Sequence, residues 1–128
     1  MTKMHLVLAL SAGLIAASAS AQSQPTGEIG YAPGSLGYDA IMSGDLRTAE
    51  TQIENARDID AADPARLINL GYIHMRTGRI QAAQRLFEAA RDSARPTMLV
   101  LANGEVMASR DIAERALRRI APSLAANR

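Results

Sequence analysis

Two stretches of this chain carry the same apolar pattern. Leu46, Ala49, Ile53 and Ala56 recur at steps of three and four, and so do Ile80, Ala83, Phe87 and Ala90. That spacing lines one side of an α-helix with apolar side chains. It predicts helices over about 46–59 and 80–93. A further helical pattern precedes each: a short one over about 35–43, and one over about 64–77. Gly44 and Gly78 fall where a helix ends in a left-handed residue. Asp45 and Asp63 stand where a side chain caps the next helix, and Pro64 suits the first helical position. The two units are related by a shift of 34 residues: 35–61 aligns with 69–95 without a gap. Nine pairs are identical: Leu36/Leu70, Gly37/Gly71, Tyr38/Tyr72, Gly44/Gly78, Ala49/Ala83, Glu54/Glu88, Ala56/Ala90, Arg57/Arg91 and Asp58/Asp92. A repeat of this length points to stacked helical hairpins and a surface for binding. Gly37, Gly71, Ala49 and Ala83 let paired helices approach closely, so bulky replacements there should force the helices apart.

The pattern changes at both ends. Residues 1–21 read as a secretory signal. Lys3 precedes an apolar run, Leu6 to Ala17, that is short for a membrane span, and Ala19-Ser20-Ala21 offers a small-x-small cleavage site. The mature chain is expected to begin at Gln22, with no membrane insertion after cleavage and no cysteine for lipid attachment. Residues 22–34, rich in Pro and Gly, read as a flexible linker. Residues 35–95 form the repeat region. The tail, 96–121, has two readings. It is a decayed third repeat, because Ala116 and Ile120 follow Ala83 and Phe87 by 33 residues. Alternatively it is a β-hairpin, with Met98–Ala102 and Glu105–Met107 flanking Asn103-Gly104. Asn-Gly suits a type I′ turn, which favours the hairpin. Under either reading Ser109 caps a last helix, from Arg110 to about Ile120, which Pro122 ends. Residues 122–128 are then a tail. The fold class expected is mainly α: a short antiparallel helix-turn-helix solenoid with a C-terminal hairpin and capping helix.

Composition narrows the function. The chain has 14 basic and 13 acidic side chains, and loss of Lys3 leaves the mature chain formally neutral. That argues against a nucleic-acid surface or electrostatic attachment to anionic lipid. An exported chain without cysteine must be held by packing. With few aromatic residues, the core is mostly Leu, Ile and Ala.

The period and spacing resemble the tetratricopeptide repeat, whose unit follows the pattern Trp-x2-Leu-Gly-x2-Tyr, then Ala-x3-Phe, then Pro. The second unit here reads Leu67-x2-Leu70-Gly71-x2-His74, Ala83-x3-Phe87, Pro96. The first reads Pro33-x2-Leu36-Gly37-x2-Ala40, Ala49-x3-Ile53, Pro64. The large aromatics of the family are replaced by Leu67, Pro33, His74 and Ala40, so the first unit packs weakly. Two units are also fewer than a stable stack needs. Something must cover the open ends: the hairpin and last helix, a second copy of the chain, or a partner. The resemblance implies that the first helix of each unit lines a concave face that contacts a protein or peptide. The residues so placed are Tyr38, Ile41, Met42, Ile68, Tyr72, Met75 and Arg76. Tyr, Met and Arg together suit a contact surface. The alternative is that these residues pack against the linker or the last helix.

Sites for chemistry find little support. His74 is the one histidine of the mature chain and falls where the repeat packs its helices; no second His or Cys completes a metal or catalytic set. Asp58, Asp60 and Asp63 resemble the start of a calcium loop, but Ala62 takes a ligand place and no glycine follows. Arg115, Arg118 and Arg119 form a basic group on the last helix, read as a solvated face or an acidic-partner contact. The expectation is an exported, non-enzymatic adaptor for a protein or peptide, without cofactor, metal or catalytic residues. The alternative is a self-associating structural subunit of an envelope assembly.

Overall fold

A computed structural model describes residues 25–128. The signal expected over 1–21 lies outside the described residues. The first unit gives helices α1 (Tyr38–Ser43) and α2 (Leu46–Asn55), and the second gives α3 (Pro64–Arg76) and α4 (Ile80–Arg91). The chain then forms a hairpin of β1 (Met98–Val100) and β2 (Val106–Ala108), and ends in helix α5 (Ser109–Ala126).

The helix starts and stops follow the local chemistry. The Asp45 carboxylate accepts from the Thr48 amide at 3.1 Å, and Asp63 accepts from the amides of Ala65 and Arg66 at 2.9 and 3.2 Å. These bonds satisfy amides that a helix start leaves without partners. Two boundaries differ from expectation. Helix α1 begins at Tyr38 rather than Ser35, because Gly37 takes a left-handed φ of 64°, which no helix contains. Helix α2 stops at Asn55 rather than near Ile59. The next residue, Ala56, turns extended, and its carbonyl accepts from Arg66 Nη1 at 3.0 Å.

The apolar stripes meet in three clusters. Ala40, Ile41, Ala49, Ile53, Tyr72 and Ile73 join α1, α2 and α3. Ala83, Phe87, Ala116 and Ile120 join α4 to α5. Leu36, Ala65, Leu67, Ile68, Ala90, Leu99, Leu101, Met107, Ile112 and Ala113 gather the rest beneath the hairpin. The hairpin and α5 therefore cover one side of the α3–α4 pair. Ala116 and Ile120 pack with Ala83 and Phe87, although α5 is preceded by a β-hairpin and not by the first helix of a third unit.

The hairpin is antiparallel, with Met98 opposite Ala108, Leu99 opposite Met107 and Val100 opposite Val106. Its turn is not type I′. Gly104 has φ 82°, but among the described residues no non-glycine has positive φ, so Asn103 does not supply the second such angle that type I′ requires. Instead Gly104 N donates to Leu101 O, and Leu101 N to Glu105 O, both at 2.8 Å. This closes a three-residue loop with glycine in the left-handed position. Ser109 is not a cap either. Its Oγ accepts from Thr97 N at 3.1 Å and its own N donates to Thr97 O, so it extends the hairpin pairing by one step. Helix α5 passes through Pro122 to Ala126, and residues 122–126 are helical rather than a tail. Pro122 lies near the exposed end of α5, where the carbonyl it leaves without a helical donor faces water.

The segment expected as a flexible linker is ordered from Pro25 onward. Residues 25–36 form a strap. Gly27 N donates to Val100 O at 2.7 Å and Ala102 N to Pro25 O at 3.1 Å, so the strap adds to the edge of β1. The bonds flank Thr26 and Leu101, which sit opposite each other as a non-hydrogen-bonded antiparallel pair.

Candidate functional site

That pairing turns the backbone groups of Thr26 away from β1 and toward α3. There Asn69, fully buried, receives them. Thr26 N and Oγ1 donate to Asn69 Oδ1 at 2.8 and 3.1 Å, while Asn69 Nδ2 donates to Thr26 O at 3.2 Å and Leu36 O at 3.0 Å. One side-chain amide thus stands in for the neighbouring strand. A second anchor follows at once. The Glu28 carboxylate accepts from Gly34 N at 2.7 Å, Leu36 N at 3.0 Å and Tyr38 N at 3.2 Å. It supplies the cap that Gly37, lacking a side chain, cannot give to α1.

A third anchor is Tyr31. Its hydroxyl donates to both carboxylate oxygens of Asp63 at 3.2 Å, tying the strap to the start of α3. Burial, then the Asp63 charge and the hydrogen bond to it, push the Tyr31 hydroxyl up to about 12. Beside this pair lies an open groove of about 710 Å³ between the strap, the turn before α3 and the segment after α4. Pro64, Leu67 and Ala89 give it an apolar wall, and Asp60 and Arg95 stand among its polar residues. Asp60 and Asp63 direct carboxylate oxygens at the amides of Ala62, Ala65 and Arg66, as turn and cap residues do.

The seven residues expected to line a contact face are divided by the structure. Ile41, Ile68 and Tyr72 are core residues. Tyr38 and Met75 are half-buried, the latter against two of the core clusters. Met42, at 55% exposure, and Arg76 are the two that reach the surface. Arg76 lies over Tyr72, its guanidinium carbon 5.6 Å from the ring centroid, and Nη1 donates to the Tyr72 hydroxyl at 2.9 Å. The Tyr72 ring is therefore covered by its own arginine, while Tyr38 stays half-exposed. The residues that hold an extended segment, Asn69 above all, were outside the expected set. The signal available was an amide in the middle of the apolar run Leu67-Ile68-Asn69-Leu70, since a buried amide needs partners.

His74 sits between α2 and α4. Its Nε2 is 3.4 Å from Glu50 Oε1, and its Nδ1 is buried without a partner among the described residues. Arg79 holds both Glu50 oxygens, at 2.8 and 2.9 Å. Burial, then repulsion from Arg79, lower the His74 ring below its ordinary value, against the opposing pull of Glu50 and Glu54. The hydrogen bonds from Arg79 hold Glu50 below the usual carboxylate range. With both its oxygens on Arg79, Glu50 is poorly placed to relay a proton through His74. The cluster acts as a brace between helices.

No family model, curated protein or solved structure matches this chain. The described chain is a mainly α protein: two helical hairpins, a β-hairpin and a capping helix, bound together by an N-terminal strap.

Proposed function

We propose that this chain is an exported, non-enzymatic interaction module of the tetratricopeptide kind, holding a protein or peptide segment against its helices. The observation that supports the reading is the Asn69–Thr26 pair. A helical face and a sheet edge together hold an extended backbone through hydrogen bonds to its peptide groups, as happens when proteins take up peptides by strand addition. In the described state that place is taken by the chain's own strap, and Met42 and Arg76 are what the expected contact strip still presents. A Met42→Ala, Arg76→Ala double variant removes both exposed contacts; it also uncovers the Tyr72 ring and its hydroxyl, so its fold is first checked by circular dichroism. Pulldown from envelope extracts should lose at least one partner retained by the unaltered chain. A folded variant that keeps every partner removes this face from the proposal.

A second reading is self-association. It is favoured by Ile29, Met98 and Val106, which are 74%, 62% and 58% exposed and make up three of the four exposed large apolar residues among those described. Met98 and Val106 belong to the hairpin, and Ile29 follows the strap segment paired to it. Apolar side chains gathered at a sheet mark a surface that another chain can cover. Light scattering across a wide concentration range tests it: a strict monomer argues against association.

A further inference from the structure

We infer that the slot formed by Asn69 and the edge of β1 accepts the strap of a second copy of this chain, straightened into a longer strand. This rests on the self-association reading and names its contacts.

The strap leaves β1 early. After Gly27 the chain turns, with Tyr31 N donating to Glu28 O at 2.9 Å and Gly30 in a left-handed conformation at φ 89°. The edge of β1 beyond Val100 is left facing a recess of about 270 Å³ walled by Ile29, Gly30, Thr97 and Met98 among others. Continuing the Thr26–Leu101 register past the turn puts Gly27 opposite Val100, Glu28 opposite Leu99 and Ile29 opposite Met98. The two most exposed side chains of the apolar group are therefore register partners that the turn keeps from pairing. Pairing them would form an apolar cross-strand contact on the outer face, where Val106 already stands opposite Val100.

In one molecule the turn prevents this, because the strap must reach α1 within a few residues. In two molecules it need not. A strap extended through Ile29 and seated on a second copy meets the same Asn69 and the same β1 edge. Its Glu28 meets the same three amides at the start of that copy's α1. Exchange of an identical element keeps the Thr26 and Glu28 contacts and gives up the Tyr31 N–Glu28 O turn bond in return for the Ile29–Met98 pair. The remaining hinge, residues 30–33, carries the connection between copies.

The test uses the absence of cysteine in the chain. Two single-cysteine versions are made, Thr26→Cys and Leu101→Cys, one carrying a tag. A non-hydrogen-bonded antiparallel pair has the separation a disulfide needs. Both positions are buried, so a lasting bond requires docking. After mixing and mild oxidation, a disulfide between tagged and untagged chains should appear, grow with protein concentration, and be absent from either chain alone. Gly30→Val, which disfavours the left-handed turn, should raise its yield severalfold, and Ile29→Asp should lower it. A single chain carrying both cysteines should close internally, which shows the pair is competent. If that internal bond forms while mixing gives no joint species in either the parent or the Gly30→Val background, exchange is refuted. A dimer seen by light scattering without the mixed disulfide would refute exchange and leave self-association standing; a monomer would remove both.

Discussion

Gly71 on α3 faces the ring of Phe87 on α4 so closely that a Cβ on Gly71 would lie 2.6 Å from Phe87 Cε1. The glycine is what lets α3 and α4 pack at this distance. Phe87 is itself fully enclosed and cannot swing away without opening the α4–α5 cluster. Gly71→Ala should destabilise by about 1–3 kcal/mol, despite the better helix propensity of alanine. Gly71→Val should cost more. Chemical denaturation followed by circular dichroism checks both. A Gly71→Ala variant as stable as the parent would mean that Phe87 has room the structure does not show.

Asn69 makes four hydrogen bonds to the strap, and none of the groups involved reaches water readily. Asn69→Ala should cost about 1–3 kcal/mol, because it leaves buried amide and carbonyl groups of the strap unpaired. The loss should be local as well as global. Hydrogen exchange at Thr26 should quicken markedly while the amides of α4 stay protected. Equal acceleration everywhere would show that the strap and the helices open as one unit.

Tyr31 carries a pH signature. Its hydroxyl ionises at about 12 in the folded chain, against 10.0 for the free side chain. A folded value above the unfolded one means that the folded chain holds the proton longer. This contribution is whole below pH 10 and is lost as pH rises toward about 12. Tyr31→Phe should flatten the alkaline fall in stability and remove one late-ionising tyrosine from the ultraviolet absorbance titration. An unchanged titration would place the late group elsewhere.

His74 has the opposite sign. Its folded value lies below the ordinary 6.5, so the unfolded chain binds the proton first. Stability should be full above pH 6.5 and fall as the solution is acidified through that value. His74→Gln should reduce the drop in denaturation midpoint between pH 7 and about 5, the range in which histidine titrates. The Glu50 contribution, from a carboxylate held low, is lost only at more acid pH. A variant with the parent's slope would clear His74 of the effect.

Much of the scaffold can be read from local chemistry. Asp45, Asp63-Pro64, Gly44 and Gly78 mark helix ends through contacts within a few residues, and the structure places them there. The hairpin was legible from Asn103-Gly104, although its turn type was not, because the choice depends on one angle at Asn103. The strap was not legible. It binds through backbone groups, which every sequence possesses, and its partners Asn69 and Leu101 lie far along the chain. The contact strip was drawn from the tetratricopeptide resemblance. It placed Ile41, Ile68 and Tyr72 on an open face, where the short α1, the strap and Arg76 instead leave them covered.

The order of these contacts along the chain has a consequence for when the protein can fold. The strap is the first described segment to emerge during synthesis. Yet the strand it joins lies near Leu101, and α5 follows that. Until the last quarter of the chain is available, Thr26 has no strand to join and Leu36 lacks the hairpin side of its cluster. Loop-closure entropy holds such distant pairings back even then. The two ends of the described chain are therefore joined last: the seat of the strap exists only once the hairpin and α5 have formed.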